Sequence, residues 1–125
     1  KIIKLFGKEL RTILAGLFIL LISLFCFFMK EPLFILLFVF VLCLGMFIIH
    51  TIATRIANSL RESQKALTSG MYLTFYYIGG AVGAIIPPLV YEFYSWNTTL
   101  LMFIILIIFT VIFVFINRKL FKAYN

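Results

Sequence analysis

Four long runs without Asp, Glu, Lys or Arg divide the chain: 12–29, 32–54, 66–91 and 93–117. Each approaches or exceeds the ~20 residues that cross ~30 Å of hydrocarbon at ~1.5 Å per residue. Backbone groups in lipid must find partners within their own segment, so the runs read as helices. The short alternating segments of a membrane β-barrel are missing. The pattern therefore predicts an all-α polytopic bundle of four transmembrane helices, one membrane domain over 1–125. Polar segments 1–11, 55–65 and 118–125 flank or join the runs.

Composition supports lipid as the solvent. Of 125 residues, 65% are hydrophobic and 12% charged, with a mean hydropathy of +1.21. A water-soluble domain is nearer half apolar and a quarter charged, and this one would expose apolar patches beyond what a monomer tolerates. The net charge of +7 raises nucleic acid as a partner. The placement of the charges argues against it. Lys1, Lys4, Lys8 and Arg11 precede the first run, Arg55, Arg61 and Lys65 follow the second, and Arg118, Lys119 and Lys122 follow the fourth. Only Lys30 lies on the other side, so ten basic residues face one. The positive-inside rule makes the crowded side cytoplasmic and puts both ends of the chain there.

The turns at Lys30-Glu31 and Glu92 are short enough to force helical hairpins. Tyr91, Tyr94 and Trp96 gather at the second of these, and Tyr124 lies at the inner face, all suited to the headgroup level. Cys26 and Cys43 each sit inside an apolar run and read as small buried hydrophobes. The chain opens on Lys1 and shows no signal peptide, so further residues are expected before it.

Candidate chemistry is concentrated in the second and third runs. His50, Thr54 and Asn58 recur every four residues, flanked by Thr51 and Arg55, and form one polar stripe on a helix. Such a stripe faces other helices or a wet cavity, not lipid. His50 is the one histidine. It reads either as a proton-linked or substrate-binding group, since histidine ordinarily titrates near neutrality, or as a helix–helix hydrogen bond. In the third run Gly79 pairs with Gly83 and Gly80 with Ala84 at small-residue spacing, which allows close helix approach or a flexible gate. Pro87 and Pro88 remove two donors and are expected to kink or break that helix near its outer end. Tyr72 lies near enough to the boundary to read as headgroup belt, while Tyr76 and Tyr77 are deeper and could line a pathway.

The segment 55–70 is polar and helix-compatible, but its basic residues are sparse for lipid binding. No Asp or Glu falls within a run, so no paired-carboxylate site, metal cluster or oriented triad is expected, and no cofactor. An enzyme is not expected.

Three stretches carry a family resemblance: Gly45-Met-Phe-Ile-Ile-His-Thr-Ile-Ala-Thr-Arg-Ile-Ala-Asn, then Lys65-Ala-Leu-Thr-Ser-Gly-Met-Tyr-Leu-Thr-Phe-Tyr-Tyr-Ile-Gly-Gly-Ala-Val-Gly-Ala, then Tyr94-Ser-Trp-Asn. Together they resemble helices ten to twelve of the major facilitator superfamily, nearest its sugar-efflux-like and drug-efflux-like bacterial proton antiporters. Phe6-Gly7-Lys8 resembles a worn copy of the family's basic loop between helices eight and nine, although Lys4 stands where an Asp is often found. The resemblance covers nearly the whole chain and implies helices nine to twelve of a twelve-helix fold.

It further implies a part of a secondary transporter in a bacterial cytoplasmic membrane, with proton-coupled export of a small molecule and the remaining helices as partners. It carries a pathway role onto His50, Thr51 and Thr54, and a contact between halves onto Gly79, Gly80 and Gly83. Two other readings stay open. One is a self-contained four-helix transporter working as an oligomer, although such exporters rely on a glutamate in the first helix. The other is a non-transporting scaffold or accessory subunit.

Overall fold

A computed structural model of the chain describes residues 2–59 and 64–117, with side chains from Glu9 onward. Lys1, Arg61, Arg118, Lys119, Lys122 and Tyr124 lie outside the described residues, as do the side chains of Lys4 and Lys8. The described residues form helices and no strands: α1 (Ile2–Cys26), a 3-10 turn (Phe27–Met29), α2 (Pro32–Ser59), α3 (Lys65–Phe93) and α4 (Trp96–Ile116). All four long helices are long and apolar enough to cross a membrane.

The helices overrun the uncharged runs because charge does not stop a helix. α1 reaches back to Ile2, and α2 continues past Thr54 to Ser59. Start and stop are set locally. Pro32 opens α2, where its missing N–H costs nothing and its fixed φ is already helical. Lys30 ends the 3-10 turn in the left-handed region at φ 57°, its N–H donating to the Phe27 carbonyl at 3.4 Å. The turn between α3 and α4 falls at Tyr94-Ser95, not at Glu92, which is still helical. Ser95 fixes it: its side-chain oxygen accepts from Thr98 N–H at 3.2 Å, the usual N-cap arrangement.

Pro87 and Pro88 do not break α3, contrary to the expectation of a break there. The helix runs on to Phe93. Each proline removes one backbone donor, but its φ is compatible with helix and the ladder resumes beyond it.

Contacts between helix ends fix an antiparallel order. Glu9 near the start of α1 meets Arg55 near the end of α2. Trp96 at the start of α4 donates its indole N–H to the Phe27 carbonyl at 3.1 Å, at the far end of α1. There the core gathers: Leu24, Phe27, Leu100 and Ile104 are buried, with Ile35, Phe38 and Leu42 of α2 packed against them.

The most extensive helix contact is between α1 and α2, and it is built on glycine. A Cβ added at Gly45 would stand 3.1 Å from the Gly16 carbonyl oxygen, and one at Gly16 would stand 3.2 Å from the Gly45 oxygen. The backbones approach closely because neither residue has a side chain, as in small-residue interfaces of membrane helices. By contrast, α3 is the least hydropathic of the four helices and is almost uncovered.

Candidate functional site

The polar stripe of α2 meets α3 at one point. His50 Nδ1 and the Tyr72 hydroxyl share a hydrogen bond of 2.8 Å. The Tyr76 ring lies against the imidazole, with centroids 4.6 Å apart, and Tyr72 and Tyr76 stack at 6.3 Å. Tyr77 completes the group edge-on to Tyr76 at 5.7 Å. Helical geometry explains the clustering: Tyr72 and Tyr76 are one turn apart on α3, so both can reach one residue of α2.

Tyr72, read from sequence as headgroup belt, is instead the hydrogen-bonding partner of His50. The signal lay in the antiparallel order. The last third of α2 lies against the first third of α3. His50 and Tyr72 lie at matching depths in such a pair.

The other stripe residues go elsewhere. Thr54 donates its hydroxyl to the His50 carbonyl at 2.7 Å, and Thr51 donates to Phe47 at 2.8 Å, so both hydroxyl protons are spent on their own helix. Thr51 is exposed, and Asn58, two turns further along α2, lines a cavity at the basic end of the bundle. Of the six pathway candidates, the structure brings together His50, Tyr76 and Tyr77, and leaves Thr51, Thr54 and Asn58 outside the aromatic group.

An imidazole held this way can carry a proton without losing its tether. Neutral imidazole with its proton on Nε2 accepts from Tyr72, and imidazolium donates Nδ1–H to the tyrosine oxygen instead. Nε2 has no partner among the described residues. It is free to bond a ligand or water, or to exchange a proton. His50 is half-buried, whereas Tyr76 and Tyr77 are 39% and 68% exposed, so the group opens to the surroundings of α3.

The expected close packing at Gly79, Gly80 and Gly83 has no counterpart among the described residues. An added Cβ at any of the three meets nothing within 4 Å. Their exposed face continues upward from Tyr76 on the same helix. Gly16 and Gly45, which sequence spacing did not pick out, make the close contact instead.

One acidic residue also escaped the sequence reading. Glu9 lies in α1 and is only 6% exposed. Its carboxylate lies 3.6 Å from Arg55 Nε. Its place among four basic residues in 1–11 disguised it as part of a solvated segment. A buried carboxylate needs such a partner, since an unpaired charge out of water is costly.

No curated protein and no solved structure gives a match to the chain. The family model of the Major Facilitator Superfamily matches residues 1–123. That match spans all four helices together with the His50 group, and the chain belongs to the Major Facilitator Superfamily, a family of membrane transporters.

Proposed function

We propose that the chain is the C-terminal part, helices nine to twelve, of a proton-coupled secondary transporter that exports a small molecule from a bacterial cell. His50, Tyr76 and Tyr77 face the transport pathway, with Tyr72 positioning the imidazole. The observation that carries this reading is the polar junction itself. His50 and Tyr72 join two otherwise sparsely covered helices, with Nε2 and the Tyr76 ring still available. Polar and ionisable groups at membrane depth are costly and are kept where they face a cavity or one another.

The skew of ten basic residues to one supports cytoplasmic ends for this segment. The open face of Gly79, Gly80 and Gly83 supports further helices, from the rest of the transporter, packing against α3. Thr51 and Thr54 remain pathway candidates through the family resemblance, and Asn58 through its place on the stripe. Pro87 and Pro88 are candidates for the bending point of α3. Rocking of one half of the fold against the other would carry substrate past this surface.

The test is proton flux in proteoliposomes of the full-length protein enclosing a pH-sensitive dye, challenged with a panel of small sugars and amphipathic drugs. At least one compound is expected to drive flux. His50→Ala should lower the rate per molecule about a hundredfold or more, the usual scale for loss of a positioned acid–base group. Thr110→Ala, whose hydroxyl serves only its own helix α4, should leave it unchanged. Equal rates for wild type and His50→Ala would reduce His50 to a helix tie.

A further inference from the structure

Three polar residues of α2 lie on one line, and the aromatic group uses only the first of them. From His50 the line runs through Thr54 to Asn58, toward the basic end of the bundle. In the other direction it meets Met46 and Cys43, so the polar line stops at the imidazole. On α3 the positions one turn nearer the basic end than Tyr72 are Thr68 and Ser69. Asn58 and Ser69 together line a surface depression between the two helices at that end. At ~1.5 Å rise per residue, Ser69, Tyr72 and Tyr76 stand roughly 6, 10 and 16 Å into α3. Tyr72 is therefore the tyrosine of the group nearest the basic end, and its hydroxyl is the one that meets Nδ1, at 2.8 Å.

The chemistry along this line suits water. Thr54 spends its proton on the His50 carbonyl, but its oxygen still accepts. The Asn58 amide both donates and accepts. A water among such groups finds the two to four polar partners it needs. Arg55 and Lys65 bring positive charge to the mouth, and the Glu9 carboxylate, 3.6 Å from Arg55, offsets that of the guanidinium.

We propose that Tyr72, Thr54 and Asn58 form a hydrated proton exit from His50 to the basic end, which rests on the reading of His50 as a proton-linked group of the pathway. The neutral imidazole starts with its proton on Nδ1, donating to the Tyr72 oxygen. Nε2 takes a proton from the pathway, and the ring becomes imidazolium. The Nδ1 proton then passes to the Tyr72 oxygen as the hydroxyl releases its own proton to water beside Thr54. One N–H forms and one breaks, the tyrosine is unchanged, and one proton has moved from the pathway to water. A flip of the neutral ring restores Nδ1–H for the next proton.

Two readouts test the exit. In the full-length protein freed of other cysteines, Thr54→Cys and Asn58→Cys should react with a charged methanethiosulfonate reagent added on the side that the basic end faces. Ile112→Cys, at similar depth on the exposed side of α4, should not. In proteoliposomes, Tyr72→Phe should slow substrate-driven proton flux about tenfold, roughly the cost of holding an ordered water in place of the hydroxyl. Exchange of the same compound against itself moves no net proton and should keep the wild-type rate. A merely structural tie would slow both, and that result overturns the exit. Failure of Thr54→Cys to label, or equal labelling of Ile112→Cys, overturns it whatever the flux. Flux that His50→Ala lowers and Tyr72→Phe does not overturns the exit alone. Wild type without flux for any compound, or flux unchanged by His50→Ala, overturns the pathway reading and the exit with it.

Discussion

The contact between α1 and α2 sets a sharp steric test at Gly45. A methyl group there would stand 3.1 Å from the Gly16 carbonyl oxygen, from Ile19 Cγ2 and from Leu20 Cδ2. Ordinary carbon contacts lie at about 3.5–4.0 Å, so the helices must part by a few tenths of an ångström even for alanine. Alanine recovers part of this, because it favours helix over glycine by about 1 kcal/mol. Leucine adds three more carbons to a place where backbone already stands 3.1 Å from the first of them. Overpacking of this kind costs about 1–3 kcal/mol, and Gly45→Leu belongs at the upper end. At about 2–3 kcal/mol, the unfolding constant rises roughly 30- to 150-fold. SDS titration of the purified protein followed by circular dichroism reads this as an earlier midpoint. Leu44→Ala is the control, since the neighbouring side chain is 62% exposed. If Gly45→Leu is as stable as Leu44→Ala, the close approach of α1 and α2 is not what holds them together.

The ion pair and the tyrosine tie give two further expectations. Arg55→Gln should destabilise more than Glu9→Gln, because it strands a buried carboxylate, whereas the exposed guanidinium can turn to water. Exposure of Arg55 moderates the pair, so the difference should be about 1 kcal/mol in the same titration, and equal losses would contradict the burial assigned to Glu9. Tyr72→Phe removes the hydroxyl that meets His50 and should cost about 0.6 kcal/mol, the measured average for hydrogen bonds between membrane helices, and no more than about 1.7 kcal/mol. In the double variant with His50→Ala the cost of Tyr72→Phe should vanish, and an undiminished cost would show that the hydroxyl serves another partner.

The four helices were legible because lipid imposes one rule, internal pairing of the backbone, and long uncharged runs obey it visibly. Their ends were less legible. An uncharged run marks hydrocarbon, whereas a helix stops where caps and turns stop it, at Ser95 for α4 rather than beside Glu92. The stripe at His50 was visible as spacing within one helix, and Tyr76 and Tyr77 as depth within another. What neither segment contained was the register between them, and that register decides that Tyr72 is the partner. Gly16 and Gly45 were hidden for the same reason: they face each other across two helices, and Gly45 has no small residue four positions away in its own helix. At the glycines that do form such a repeat, Gly79 and Gly83, an added Cβ would meet nothing within 4 Å. A repeat announces that close packing is possible, but which helix fills it depends on residues elsewhere. Glu9 was concealed by its neighbours' charge, because sequence cannot say that α1 begins early enough to bury it against Arg55.

The central claim is that the His50, Tyr76 and Tyr77 face lines an aqueous pathway, and cysteine accessibility tests it without knowledge of the substrate. Cys26 and Cys43 are first replaced by alanine in the full-length protein, and single cysteines are placed at Tyr76, Tyr77 and, on the exposed side of α4, Phe109. A charged methanethiosulfonate reagent in right-side-out and inverted vesicles then reads water access at each, because only an ionised thiol reacts. The account predicts rapid labelling at positions 76 and 77 from at least one side, and none at 109. Labelling at 109 alone, or at none of the three, would contradict it and place the tyrosine group in lipid or in a dry helix interface.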